Sequence, residues 1–313
     1  MPTRSKRSSS LKPLRLSLPA TSANLGPAFD AAALAFNLSL DIEARIAPVT
    51  TIEATGRDPE ICGQLKDNLI LTTYREVLAA QGKESVPLAL SIRNNFPIGK
   101  GCGSSAAARL AGIALAVHFG RLGWKDDEIV AEASRREHHP DNAAACWLGG
   151  VAVARMSGEE VRAIKLKPKG KWPLLLAVPD EALATEQARK VLPPTYSRAD
   201  AVTNIQNSML LLLALTQGRH DLLAAALEDR IHQPYRAPLC PLLPVLQELT
   251  GQRGVAGVAL SGAGPSVLLF LDPHVPTPST AKRVTAHLKN RALRAELIPA
   301  AISLRGASRT FRG

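Results

Sequence analysis

The sequence predicts an α/β protein of two domains, and three observations carry that prediction. Leu88-Ala-Leu-Ser-Ile-Arg-Asn-Asn95 alternates as a strand, Ala106 to Val117 is a run of good helix formers, and a glycine-rich loop joins them. Val255 to Leu260 and Val267 to Leu271 are apolar stretches around the turn Ser261-Gly-Ala-Gly-Pro265, the pattern of two buried strands whose backbones are closely approached. Between these regions Lys and Pro crowd residues 165–173, and Trp172 to Pro179 reads as a buried strand opening a second domain. A chain of 313 residues has room for both units, expected at 14–165 and 166–313.

Apolar residues make up 46% of the chain and aromatics 4%, so Leu, Val and Ala must do most of the packing. The longest apolar run, Met209 to Leu215, is far short of the ~20 residues a membrane span needs. No secretory apolar region lies near the start. Cys62, Cys102, Cys146 and Cys240 are scattered, with no C-x-x-C pair, which suits a cytoplasmic protein without disulfides or zinc. The net charge of +11 is terminal. Residues 1–15 carry +5 and residues 281–313 carry +7, leaving the body at −1. Such ends touch polyanions weakly and give no specific nucleic-acid site, and zinc-finger spacings, RNP aromatics and basic heptads are absent from the sequence.

In chain order, residues 1–13 read as a disordered basic extension, with an organelle transit peptide as the lesser reading. Leu14 to Leu18 predicts a strand, Pro19 to Asp30 a polar turn, and Ala31 to Ile46 a second strand alternating from Phe36. A helix is expected from Asp67 to Gln81 with Asp67 or Asn68 as its cap. The helix after the glycine loop ends at Gly120, and another spans Asp126 to Arg136. Later helices are expected at Ala184 to Leu192, Arg198 to Gln217, Asp221 to Ile231 and Pro278 to Asn290, and a strand at Ala295 to Ile302. The helix 198–217 is apolar on nearly every side, as a core or interface helix would be.

Two stretches carry chemistry. In Pro97-Ile-Gly-Lys-Gly-Cys-Gly-Ser-Ser-Ala-Ala107, glycines admit a bulky oxyanion and positive φ, and Ser104 or Ser105 is placed to cap the helix. The free N–H groups and dipole of that first turn favour phosphate, and a serine hydroxyl there suits Mg²⁺. By itself the loop is equally a capped glycine turn, being neither a Walker A nor a G-x-G-x-x-G sequence. The second stretch is Glu137-His-His-Pro-Asp-Asn142. Its adjacent histidines do not match zinc spacing on a helix, and its oxygens suit a hard cation or a polar substrate. A helix-terminal turn capped by Asp141 or Asn142 explains the same residues.

Pro19 to Asp30, Pro97 to Ala107 and Leu260 to Val267 together resemble, in order and spacing, the three motifs of the GHMP kinases. Pro19-Ala-Thr-Ser-Ala-Asn-Leu-Gly-Pro-Ala-Phe-Asp30, Glu137 to Asn142, Ala188-Arg-Lys-Val-Leu-Pro193, Gln233-Pro-Tyr-Arg236 and Leu260 to Ser266 resemble the homoserine kinase branch. The resemblance implies a two-layer α+β kinase fold, with an N-terminal nucleotide-binding domain and a ferredoxin-like C-terminal domain. It implies ATP held by Pro97, Ile98, Gly99, Lys100, Gly101, Cys102, Gly103, Ser104, Ser105, Ala106 and Ala107, with Gly262 and Gly264 behind them and Asn68 near the adenine. Mg²⁺ would fall to Ser105 (or Ser104) and Glu137, the residues it marks as catalytic. The amino acid would fall to Asn24, Asp30, His139, Asp141, Arg189 and Arg236, since a zwitterion needs carboxylates for its ammonium and arginines for its carboxylate.

The reaction implied is phosphorylation of L-homoserine to O-phospho-L-homoserine, a step of threonine biosynthesis, in a homodimer. No general base is nominated, because loose phosphoryl transfer needs little early proton abstraction. Ala28, Cys102 and His138 depart from the family pattern, at positions where it has glycine, leucine and glycine, and Ala143 to Cys146 lacks its V-A-P. A kinase of another small alcohol, a non-catalytic ATP or amino-acid sensor on the same scaffold, and a nucleic-acid binder resting on terminal charge are the rival readings.

Overall fold

The structure, a computed structural model, describes residues 11–252 and 254–311. The first half holds β1 (Leu14–Ala23), β2 (Ala32–Ile46), β3 (Thr51–Gly56), α1 (Pro59–Cys62), α2 (Leu69–Ala80), β4 (Leu88–Asn94), α3 (Ser104–Gly120), α4 (Asp126–Glu137), α5 (Asp141–Leu148), β5 (Val151–Ser157) and β6 (Glu160–Leu166). Its sheet runs β3-β4-β2-β5-β6, with β1 pairing β2 as well. The 15-residue β2 organises it. One of its edges takes β1 from Leu14↔Ala44 to Ala23↔Ala33, and the other takes β4 at Leu40–Ile46 and β5 at Ala32–Leu34. Only the β3–β4 pair is parallel. Helices α3 and α5 cover the sheet at β1 and β2, α4 meets β6, α2 packs on α3, and α3 is buried continuously from Leu110 to Val117.

The second half holds β7 (Pro173–Val178), α6 (Thr185–Lys190), α7 (Arg198–Gln217), α8 (Leu223–Ala226), α9 (Gln233–Arg236), α10 (Leu242–Gln247), β8 (Val255–Leu260), β9 (Val267–Leu271), α11 (Thr277–Asn290) and β10 (Glu296–Ala301). Its sheet is antiparallel throughout, in the order β10-β7-β9-β8. Four strands in that order, with helical connections after the first and third, make the ferredoxin-like arrangement. The apolar run of β7 has a simple cause: both its faces are covered. Leu174 and Leu176 join Leu268, Phe270 and Leu211 in one core with the first sheet, while Leu175 and Ala177 face Leu243, Leu246, Val284 and Leu288 in another. The chain end returns to the first sheet, where Ser303 N donates to Ala35 O at 2.8 Å and Gly150 N to Ser303 O at 2.7 Å.

Several expectations change. Pro19 to Ala23 is strand rather than turn. A register shift between Pro19 and Thr21 accommodates the proline's missing donor, and the turn begins at Asn24. Neither serine caps α3. Gly103, at φ 69°, precedes the helix, and Ser104 is its first residue. Asp141 likewise begins α5 rather than capping it. The helix expected over 221–231 stops at Ala226, because the Asp229 carboxylate takes the amides of Ile231, His232 and Gln233. Helix α7 is not core on every side. Leu211, Ala214 and Leu215 are buried, whereas Ile205 and Met209 are 61% and 65% exposed. β3, β5, β6, α1, α9 and α10 are elements the sequence does not predict. Of the expected basic extension, residues 1–10 lie outside the described residues; Leu11 packs on the core and Lys12 O accepts from His118 Nε2 at 2.8 Å.

Candidate active site

Three loops meet at their backbones. Thr21 N, near the end of β1, donates to Cys102 O at 3.0 Å. Gly262 N donates to Ala23 O at 3.1 Å, and Asn24 Nδ2 returns a bond to Gly262 O at 2.8 Å. Ser261 Oγ donates to Gly101 O at 2.7 Å. The contact is too close for a side chain at two points. A Cβ on Gly101 (φ 79°) would lie 2.2 Å from Ser261 O, and one on Gly103 (φ 69°) would lie 1.9 Å from Thr21 Oγ1. The glycine loop is therefore clamped between the turns after β1 and after β8.

Clamping leaves the loop's amides pointing away from protein acceptors. Ile98 N donates to Asp58 Oδ2 at 3.0 Å and Gly99 N to Ser104 Oγ at 3.3 Å. Among the described residues, the amides from Gly101 to Ala106 donate to no protein acceptor, and the N-terminus of the 17-residue α3 stands behind them. That is an anion cradle. Beside it opens an apolar cleft of about 300 Å³, lined by Leu40, Ile61, Ile92, Phe96, Ile98, Gly99, Ser104 and Asn68 among others. Asn68 Oδ1 caps α2 through Ile70 N and Leu71 N, and its Nδ2 donates to Cys62 O, so this residue walls the cleft while its side chain serves the helix. Side chains of Cys102, Ala106 and Ala107 are buried in the protein, and Lys100 Nζ is taken by Pro179 O and Asp180 O, both at 2.9 Å. A larger hollow of about 880 Å³, between residues 167–173 and 273–277, has no carboxylate in its lining and none of this machinery.

One turn into α3 the oxygens gather. Ser105 Oγ donates to Glu137 Oε1 at 2.6 Å, and Arg109 Nε donates to the same oxygen at 2.6 Å. Ser105 sits on the loop's helix and Glu137 at the C-terminus of α4, so α3–α4 packing brings them together. Two hard oxygens beside an anion cradle fit Mg²⁺.

Next lies a charged cluster. Asp30, His139 and Asp141 offer ligand atoms all within 4.8 Å of one another. Asp30 (φ 53°) is positioned by Asn24, whose Oδ1 accepts from Asp30 N at 3.0 Å. Its carboxylate pairs with Arg189 through Nη1–Oδ2 at 3.0 Å and Nη2–Oδ1 at 2.7 Å. His139 Nδ1 lies 2.7 Å from Asp141 Oδ1. Burial pulls the His139 imidazole down, but the hydrogen bond and charge of Asp141, with the charge of Asp30, outweigh it and raise its pKa.

Arg236 is 1% exposed. Its bonds go to Ala188 O (2.9 Å), His232 Nδ1 (3.2 Å) and Gly262 O (3.4 Å), none a carboxylate. Burial, then repulsion from Arg189, pushes it down to about 10. The Phe29 ring lies between the arginines, 5.5 Å from Arg189 Cζ and 5.3 Å from Arg236 Cζ, and stacks on His232 at 5.3 Å. Burial holds His232 down to about 4, so it is neutral, donating from Nε2 to Gly26 O and accepting at Nδ1 from Arg236.

Comparison with known proteins settles the family. The GHMP kinases N terminal domain pattern matches residues 68–150 and the GHMP kinases C terminal pattern residues 211–294. The chain is 46% identical to the homoserine kinase of Solibacter usitatus over 82% of this chain and 84% of that one. It is 36% identical to the homoserine kinase of Synechocystis sp. over 94% and 97%. The chain belongs to the GHMP kinase family. A homoserine kinase structure from Cytophaga hutchinsonii shares its fold (TM-score 0.80, 21% identity, 98% of both chains), as does a putative homoserine kinase from Listeria monocytogenes (0.71, 27%, 94% and 98%).

As a GHMP kinase, the chain carries three of its motif departures, Ala28, Cys102 and His138, in conformations that suit the residues present. Ala28 is buried without positive φ, and its carbonyl accepts from Ala31 N and Ala32 N, so a methyl group fits. Cys102 points into the core, where burial pushes its thiol up to about 12. His138 takes the left-handed conformation (φ 63°) that ends α4 and leaves its ring exposed. Three residues of this candidate site escaped sequence reasoning: Arg109, Phe29 and His232. Arg109 follows Ser105 by four residues on one helix face, the spacing that reveals it. Phe29 and His232 adjoin recognised residues and gain meaning only from their ring stacking.

Proposed function

We propose that this GHMP kinase transfers the γ-phosphoryl group of ATP to the hydroxyl of L-homoserine, giving O-phospho-L-homoserine for threonine biosynthesis. The observation that carries the substrate class is Arg236: a buried guanidinium with no carboxylate on it, within one cluster with Asp30, Asp141 and Arg189. A buried cation with no carboxylate in direct contact is costly even with Asp30 and Asp229 nearby, and an α-carboxylate supplies that contact. The carboxylates of Asp30 and Asp141 then suit the α-ammonium, with Asn24 and His139 fixing their geometry.

The free amides of 101–106 hold the phosphates, the apolar cleft takes the purine, and Gly262 and Gly264 keep the loop in place. Ser105 and Glu137 are the residues that would hold Mg²⁺, which supplies charge neutralisation on the phosphates when bound. In the transfer, the substrate oxygen bonds to the γ-phosphorus, the bond to the bridging oxygen of ADP breaks, and the hydroxyl proton leaves to solvent. The protein's part is positioning and charge complementarity. We also propose that two copies pair through the exposed apolar stripe of α7, Val202, Ile205, Met209 and Leu213.

The test is ADP release with Mg·ATP against L-homoserine, D-homoserine, L-serine, L-threonine, mevalonate and galactose. Turnover on L-homoserine alone, lost in Glu137→Ala and Arg236→Leu, supports the assignment. Turnover on another alcohol overturns the substrate, and ATP binding without turnover on any of them overturns the activity.

A further inference from the structure

Arg109 has no part in the reading above, yet it touches the residue on which metal binding would depend. It lies one turn beyond Ser105 in α3, and both side chains converge on a single oxygen, Glu137 Oε1, at 2.6 Å each. The pair is largely sheltered, with side chains 26% (Arg109) and 10% (Glu137) exposed. Neighbouring cations are committed elsewhere: Arg135 to Glu132, and Arg136 to Glu132 and Glu76. Among the described residues, Arg109 uses only its Nε–H in hydrogen bonding, which leaves the Nη groups as donors.

We infer that Arg109 is a positioning residue: it holds Glu137 against Ser105 and keeps a bare divalent cation off that carboxylate until a nucleotide arrives. The inference rests on the proposed metal role of Glu137. A bare cation at Glu137 Oε1 must displace two short hydrogen bonds, and one at either carboxylate oxygen sits beside a fixed positive charge within a few ångströms, where screening by water is incomplete. A nucleotide changes the balance. Its phosphates bring negative charge and acceptor oxygens, for which guanidinium Nη groups are well suited. Metal therefore enters with ATP rather than before it, and the empty site stays organised without a cation.

The experiment measures free Mn²⁺ by its electron paramagnetic resonance signal during titration of nucleotide-free protein. Wild type is expected to bind Mn²⁺ weakly. Arg109→Leu and Arg109→Gln are each expected to bind it about tenfold more tightly, and Arg109→Lys, which keeps the charge, to match wild type. Arg109→Gln retains a donor for Glu137, so it carries the test should the leucine variant fail to fold. Equal or weaker Mn²⁺ binding in Arg109→Gln overturns the inference. A parallel titration of the Mn²⁺–ADP complex with Glu137→Gln separates the two layers. Weakened Mn²⁺ binding there upholds the metal role whatever Arg109 does, and unchanged binding overturns that role and this inference with it.

Discussion

Arg236 concentrates the argument at the scale of single residues. Its burial without a carboxylate is tolerable because Ala188 O, Gly262 O and neutral His232 accept its hydrogens and Phe29 covers its face. Truncating one member of a buried charge pair costs about 2–5 kcal/mol, so Arg236→Leu is expected to lower kcat/KM for L-homoserine by about a hundredfold or more. Differential scanning calorimetry should show the same loss: L-homoserine at ~100 times its Kd stabilises wild type by about 2.7 kcal/mol and leaves the variant's Tm unmoved. His139 gives a pH signature. Its folded pKa is raised, so the stability it contributes is full below the unfolded value of about 6.5 and is lost as pH rises through the folded value. Urea unfolding of wild type and His139→Gln should therefore differ more at acidic than at alkaline pH, and a constant difference would count against the assigned partners. His138, left-handed and exposed at the end of α4, makes a third case. Relief of its backbone strain predicts that His138→Gly gains about 0.5–1 kcal/mol in the same assay, with kinase activity unchanged.

At the scale of elements, the decisive feature is the junction of three turns. Gly101 is its centre, with Ser261 O and Gly264 O where a Cβ would stand. Gly101→Ala must open the clamp or distort the loop, and a loss of several kcal/mol in stability together with most ATP affinity is expected from unfolding and nucleotide titrations. Local sequence announced the strand, glycine loop and helix of 88–117, because alternation and helix-forming runs are short-range signals. It missed the edge strands β3 and β6, which are largely exposed, and β5 between β2 and β6, and it misjudged Pro19 to Ala23. Polar residues such as Thr21 and Ser22 read as turn, yet they are fully buried, satisfied across the junction by Asn142 and Ser261. No local pattern reveals a partner more than a hundred residues away.

For the molecule as a whole, the two sheets share a core through β7 and β9, and the chain end is stitched back to the first sheet. The charged cluster draws on both halves: Asp30 follows β1 and His139 follows α4, while Arg189 lies on α6 and Arg236 on α9. Among the described residues no helix is long and apolar enough to cross a membrane. The exposed stripe of α7 instead predicts self-association. Light scattering should give a dimer mass for wild type and a monomer mass for Met209→Glu, and a monomeric wild type would sink the pairing.

Sequence by itself determined the layered α/β class, the anion loop, and the residues whose chemistry suits a phosphate and a zwitterion, since each is a matter of composition over a few neighbouring positions. Three-dimensional structure alone decided which of them meet. It turned Asn68 to its helix, Lys100 to two carbonyls and Cys102 to the core, and it set Arg109 on Glu137 and Phe29 between two arginines. The physical reason is range: helix and strand preferences act over a few residues, whereas a side chain's partner depends on how distant elements pack.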